Sequence, residues 1–388
     1  MVLVRHFFAY LLSHIFRFIP RRRNLIVYGG AADRFLDNAK YCFLDGSRNV
    51  VDFEHVWLTR SRVLCDKIRS KGYSCFLSNS FRGIWLSLRA RFFIFDSNIG
   101  DFTYSFLVKG ALTFNLWHGI PFKKIGYDNK ISLFSAYGRN VFEELLNKPS
   151  TSPTWVLSPS ESIVDLFSRS FRVDEDRVVV GGYYRTLPFS WAQQELKAFI
   201  SEWDDSGLRD ILEIKSQRQN SKFILYLPTF RDTGEDFVSK GFPDLSALNH
   251  WCLANDVFFL FKTHRATKGS VNIGDLERLI WLDCELDVYP FLPFSDLLIT
   301  DYSSVFFDYA LLNKPVLFYP FDLNEYKESC RGFNFDFEEM IASSPCVFNY
   351  DELLKELNHW EDFSKRKVMF FDRPKDFSVV YECLRSIK

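Results

Sequence analysis

Short apolar runs recur along this chain, and most are followed by an amphipathic or polar stretch before the next begins. Asn24–Gly29, Phe53–Leu58, Tyr73–Leu77, Phe92–Phe95, Ala111–Trp117, Trp155–Leu157 and Val178–Val180 form a first set. Phe223–Leu227, Val257–Phe261, Leu279–Leu282, Leu297–Thr300 and Val316–Tyr319 form a second. Runs this short, bounded by turn residues, read as buried strands; segments between them, such as Arg62–Arg69 and Ile163–Ser170, read as amphipathic helices. Strands alternating with helices predict an α/β chain with parallel sheets. Ala192–Ser221 breaks the alternation: it is charged, helical in pattern and has no strand signal. The break predicts two doubly wound Rossmann-like domains, 24–190 and 191–372, with 373–388 a helix packing back on the first. A length of 388 residues suits two such domains.

Charge and cysteine usage exclude several classes. Lys and Arg total 48 against 49 Asp and Glu, so binding of nucleic acid by bulk charge is excluded and no nucleic-acid partner is expected. Eight cysteines occur without CxxC spacing, which signals neither a zinc ribbon nor a redox dithiol and favours a reducing compartment. No run reaches the ~18 apolar residues of a membrane span. The segment 1–23, MVLVRHFFAYLLSHIFRFIPRRR, has arginines where a signal peptide would carry its small-residue cleavage site. It reads as an amphipathic interfacial helix stopped near Pro20, with aromatic and Leu side chains in the headgroup boundary and Arg21, Arg22 and Arg23 on anionic lipid. The alternative is a helix docked on the protein's own core.

Open α/β sheets bind ligands beyond the carboxyl ends of their strands, and two such domains facing a central cleft would share one site. The residues just after strands are therefore the candidates. His118 follows an apolar run, in a turn made by Gly119 and Pro121, with Lys123 and Lys124 behind it. An imidazole there suits acid–base work, and the lysines suit phosphate on the substrate. Thr229 and Arg231 follow the run ending at Leu227, and a guanidinium fork suits phosphate. His264 follows the run ending at Phe261, between Lys262 and Arg265. Ser303 and Ser304 follow Leu297–Thr300 and precede an apolar helix from Val305 to Leu312, so one of them is the expected N-cap beside a bound anion. Asp322, beyond the last strand, would bind ribose or polyol hydroxyls, and Arg331 would pair with Asp322 or with phosphate. Each has a plainer alternative: a strand-end His on a carbonyl, an ordinary cap, an internal salt bridge.

Trp117-His118-Gly119-x-Pro121-x-Lys123-Lys124-x-Gly126, Ile299-Thr300-Asp301-Tyr302-Ser303-Ser304, Phe307-Asp308-Tyr309 and Arg331-Gly332-Phe333, in this order, resemble the CDP-glycerol glycerophosphotransferase family of wall teichoic acid primases and polymerases. The resemblance runs from about Asn24 to Phe337. It implies a GT-B fold, a CDP-polyol donor, an undecaprenyl-linked or polymeric acceptor, and attachment to the cytoplasmic face of a bacterial inner membrane. It also implies that His118 is the catalytic His, His264 a second active-site His, and Ser303 and Ser304 the diphosphate contacts; the chemistry then suits His118 as general base. Phe230 stands where the family usually has Trp, and Arg265 where it often has Pro. Neither removes a group the chemistry needs. Attack of an acceptor hydroxyl on the donor's β-phosphorus would release CMP. Backbone amides at the Ser303–Ser304 turn, Arg231 and His264 would hold the charge, with no metal or other cofactor. The triplet Asp174-Glu175-Asp176 precedes its strand, at the wrong end for the site. The rival expectations are a GT-B glycosyltransferase using a nucleotide-sugar, and a non-catalytic membrane-bound nucleotide-binding protein.

Overall fold

Every apolar run named above contains or overlaps a strand in the computed structural model. It describes residues 2–129, 141–203, 207–229, 231, 237–262, 276–329, 332–341, 344–363 and 375–387. The chain divides into two compact units. One comprises Met1–Gly119, Ile125–Leu187 and Phe370–Lys388; the other comprises Ile120–Lys124 and Pro188–Met369. The division thus falls at Leu187/Pro188 rather than 190/191, and Ile120–Lys124 belongs with the second unit.

The first unit holds a seven-stranded parallel sheet: β1 (Arg22–Gly29), β2 (Glu54–Thr59), β3 (Cys75–Leu77), β4 (Ala90–Phe95), β5 (Leu112–Asn115), β6 (Trp155–Ser158) and β7 (Val178–Val180). Its order is β3-β2-β1-β4-β5-β6-β7. The second unit holds five parallel strands: β8 (Lys222–Tyr226), β9 (Val257–Phe261), β10 (Leu279–Trp281), β11 (Leu297–Thr300) and β12 (Val316–Phe318), ordered β10-β9-β8-β11-β12. Both orders reverse between the first and fourth strands, at β1/β4 and β8/β11, which is where such sheets open a ligand crevice. The strands read as unbroken apolar runs because both faces are covered: Leu25 to Tyr28 and Phe223 to Tyr226 are fully buried. Phe242 closes the second core, its ring 4.9 Å from Tyr226 and 5.0 Å from Phe261 in edge contacts. Full burial of a Phe or Leu contributes about 1.5–3 kcal/mol, so these runs hold each sheet at the centre of its unit.

Helix Val379–Arg385 belongs to the first unit. Tyr381 Oη donates to Cys42 O at 2.7 Å and lies 3.1 Å from Tyr28 Oη. His55 Nδ1 is 2.8 Å from the same Tyr28 hydroxyl, and burial lowers the His55 pKa. Gly46 admits the contact: a Cβ there would stand 2.0 Å from Tyr381 Oη.

Helix α1 spans Val2–Phe16, shorter than the helix to Pro20 that its sequence suggests. Phe7 and Tyr10 pack on Phe142 at 5.2 and 5.6 Å, and Lys109 Nζ sits 2.5 Å from His14 Nε2. The expectation that Arg21 and Arg22 meet lipid is corrected. Arg21 donates to four carbonyls, those of Ser87, Ala90, Leu107 and Lys109, at 2.7–3.1 Å. Burial brings its pKa down to about 10. Arg22 opens β1 and pairs with Glu54. No helix of the described residues is long and apolar enough to cross a membrane.

Candidate active site

In the first unit, the candidate residues lie where β4 and β5 end. Asp96 follows β4 and is fully buried; its carboxylate accepts from Ala31 N (2.8 Å) and Ala39 N (3.2 Å), tying β4 to the loop after β1. Burial, then the neighbouring Asp37, push its carboxyl well above the usual carboxylate range, against the pull of those two amides. Asn115, the last residue of β5, accepts Trp117 N on Oδ1 at 2.8 Å. That Asx-type bond turns the chain, and Trp117 enters the left-handed region at φ +53°. The turn swings His118 out to an exposed position. Its Nδ1 lies 2.7 Å from Asp96 O. A carbonyl only accepts, so Nδ1 carries the proton and the neutral ring has its lone pair on Nε2. The Trp117 ring lies 4.1 Å from the imidazole.

The second unit builds a denser arrangement around the β8/β11 switch. Asp301 follows β11 and is fully buried; Oδ1 accepts from Thr229 N (2.7 Å) and Tyr302 N (2.5 Å). Its other oxygen is 2.8 Å from Arg231 Nη2, an ion pair. Arg231 also sends Nε and Nη2 to the two oxygens of Asp322, at 2.6 and 2.9 Å, and Nη1 to Thr229 O at 2.6 Å. Burial alone would lower the guanidinium pKa, but Asp301 and then Asp322 outweigh it and raise it. Beside the guanidinium, Tyr302 and Tyr326 stack with centroids 3.9 Å apart at 11°. Lys123 Nζ donates to Tyr326 Oη at 3.0 Å. Lys124 N donates to Gly332 O at 3.0 Å, and Asn334 Nδ2 donates to Pro121 O and Lys123 O at 2.8 and 3.0 Å. Gly332 is at φ +78°, where a side chain would be strained. Phe122 anchors this bridge 4.7 Å from Phe333.

Of the residues expected from sequence, Lys123, Lys124, Thr229, Arg231, Ser303, Ser304 and Asp322 lie in this second unit, and His118 lies in the first. His264 and Arg331 lie outside the described residues. Two expectations change. Arg231 and Asp322, read as direct donor ligands, are spent on one another in a buried bidentate pair. The cap expected from one of the two serines narrows to Ser303. Ser304 is already helical (φ −66°, ψ −5°) and makes no side-chain cap to helix Val305–Tyr309. Its hydroxyl is therefore not aimed at the first-turn amides, and Ser303 Oγ takes Val305 N at a long 3.5 Å. Tyr302, Tyr326 and Asn334 have no role in the sequence reading. The available signal was an acidic residue, Asp301, directly after a strand beside an aromatic. Nothing local announces partners 211 positions apart, as Lys123 and Asn334 are. Among the described residues, no group of three or more His, Cys, Asp or Glu is arranged to hold a metal ion.

Two parallel sheets, each reversing strand order beside a buried Asp after its fourth strand, define a GT-B-like α/β fold. A profile of the family described as CDP-Glycerol:Poly(glycerophosphate) glycerophosphotransferase matches residues 11–374, and the chain belongs to that family of transferases. It is 24% identical over 379 residues to a teichoic acid poly(glycerol phosphate) polymerase of Bacillus spizizenii, covering 93% of this chain and 91% of that one. It is 30% identical over 264 residues to the teichoic acid ribitol-phosphate polymerase TarL of Staphylococcus aureus, covering 66% of this chain but 43% of that longer protein. The solved structure of the wall teichoic acid polymerase TagF superposes with a TM-score of 0.70 at 22% identity, covering 99% of this chain and 95% of that one. At that identity the likeness is one of fold.

Proposed function

We propose that this chain moves a polyol phosphate, glycerol phosphate or ribitol phosphate, from a CDP-polyol to a hydroxyl of an undecaprenyl-linked or polymeric cell-envelope acceptor, releasing CMP. The observation that carries this reading is the gathering of Lys123, Thr229 and the Ser303–Ser304 turn around the Tyr302–Tyr326 stack at the strand-order switch of the second unit, with Lys124 held at Gly332. Thr229 Oγ1 is buried without a hydrogen-bond partner among the described residues. An unmet buried hydroxyl costs about 1–3 kcal/mol, and a donor phosphate oxygen would satisfy it. In the reaction so read, the acceptor oxygen bonds to the β-phosphorus and its proton passes to His118 Nε2. The bond from that phosphorus to the bridging oxygen breaks, and its electron pair leaves on CMP. Arg231 then acts by holding the loops of Thr229 and Asp301 together rather than by touching phosphate. Positive charge comes from lysine side chains, and no metal ion enters the reading.

The test is a donor screen with CDP-glycerol, CDP-ribitol and nucleotide-sugars, in the presence and absence of a chelator. CMP release from a CDP-polyol in both conditions is the expected result. Release of a nucleoside diphosphate from a nucleotide-sugar would replace this reading with sugar transfer. Loss of turnover in chelator would return a metal to the mechanism.

The same reading puts α1 on an anionic bilayer. Its inner face packs on the first unit, while Val2, Phe8, Ile15 and the following Phe18 remain 58–77% exposed. Arg5, Arg17 and Arg23 are exposed and supply charge for lipid, at ~1 kcal/mol each near the surface. Deleting 1–23 would also remove Arg21 and its four carbonyl bonds, so the sharper variant is Phe8→Ser with Ile15→Ser. Co-sedimentation with anionic vesicles should fall while CMP release from CDP-glycerol continues. Unchanged sedimentation would sink the idea.

A further inference from the structure

His118 is exposed, yet the turn that carries it is gripped from beneath. Asn38, the second residue of α2 (Asp37–Asn49), donates from Nδ2 to Trp117 O at 2.8 Å. Its Oδ1 accepts from Arg185 N at 3.0 Å. Arg185 Nη1 donates to His118 O at 2.7 Å and lies 3.1 and 3.0 Å from the two oxygens of Asp37. Asn38 and Arg185 are 0% and 3% exposed, so neither side chain is placed to meet a substrate.

Two successive carbonyls, those of Trp117 and His118, are thus each held by a buried side chain at a point of backbone strain. Trp117 is at φ +53° and Asp37 at φ +59°. Non-glycine residues persist there only where the surroundings over-determine them. On the far side of the turn, Asp96 O accepts the hydrogen bond from Nδ1–H. If the turn relaxed, the imidazole would leave Asp96, and either nitrogen could then carry the proton.

We propose that Asn38 and Arg185 are positioning residues for His118: by clamping the carbonyls of Trp117 and His118 they hold the left-handed turn that keeps Nδ1–H on Asp96 O and the Nε2 lone pair presented as the base. This rests on the reading of His118 as the general base. Asp37 is the counter-charge that lets the Arg185 fork be buried.

The test measures CMP release from CDP-glycerol for Arg185→Lys and Asn38→Ala, each alone and combined with His118→Ala. Lysine keeps a charge near Asp37 but has a shorter reach and no guanidinium plane to hold one nitrogen, as Nη1 is held here, between Asp37 and His118 O. Each single variant should lower kcat by about 10–100-fold, the scale of a small misplacement of a catalytic group, with KM for CDP-glycerol unchanged. Neither should lower the residual rate of His118→Ala further, because groups acting as one unit are not additive. A nitrogen-15 spectrum of His118 gives a second readout independent of turnover: the Nδ1–H tautomer alone in the parent, a mixture in both variants. Equal losses in the two backgrounds, or an unchanged tautomer, would mean that the cluster only stabilises the fold, and the proposal is overturned. Wild-type turnover in His118→Ala would instead show that the base assignment itself has failed.

Discussion

His118→Ala is expected to lower kcat for CMP release by about 10²–10⁴-fold, ~3–5 kcal/mol of barrier, while CDP-glycerol still binds. The size follows from the task. A hydroxyl attacking phosphorus must shed its proton, and a base held in place supplies that transfer without the disorder of water. The selectivity for kcat follows from location. His118 belongs to the first unit, whereas the lysines and the turns assigned to donor phosphate belong to the second. Calorimetric titration of CDP-glycerol and steady-state CMP release, on the same preparation, separate the two effects. Undiminished turnover would restore the plain reading of a strand-end His bonded to the Asp96 carbonyl.

Arg231→Ala is expected to cost about 3–5 kcal/mol of stability, the usual consequence of leaving buried charge without its partner. Here the stranded groups are two carboxylates: Asp301 is fully buried and Asp322 nearly so. A loss of that size lowers the Tm of a unit of this length by roughly 6–20 °C, at ~2–4 °C per kcal/mol. A residue serving only as a phosphate ligand would leave the melting curve in place and change affinity alone. Thermal unfolding followed by circular dichroism therefore decides which account of Arg231 is right. The double change Arg231→Met with Asp322→Leu should recover part of the loss, since an apolar pair can replace a buried ionic one.

The two sheets were legible because parallel strands buried on both faces must be apolar along their whole length, as at Leu25-Ile26-Val27-Tyr28. The strand-end candidates were legible for a related reason: polar residues directly after such runs, His118 and Thr229 among them, have nowhere to lie but the sheet edge. Pairing was not legible. Arg231 and Asp322 stand 91 positions apart, and a free guanidinium looks the same in sequence whether it meets phosphate or a buried carboxylate. The arginine triplet misled for the same reason, since charge alone does not reveal that Arg21 bridges four carbonyls. Which of the two serines would cap was not legible: helical geometry begins one residue earlier than the hydrophobic pattern suggests, which leaves Ser303 to reach Val305 N. Asn38 and Arg185 carry no local signal, because their targets are backbone carbonyls.

The first unit is discontinuous in the chain, and this bears on how the protein is made. Its sheet is fully synthesised once Val180 has been added, but Tyr381, whose hydroxyl reaches Cys42 O beside Tyr28, arrives about two hundred residues later. At ~5–20 residues per second that interval lasts about 10–40 s. Throughout it, the nascent first unit exposes the surface that Tyr381, Val380 and Leu384 will cover, while the second unit is being translated. Slowing translation between residues 190 and 370 should therefore lengthen the time a holdase chaperone stays on the nascent chain, with no change in the finished protein's stability.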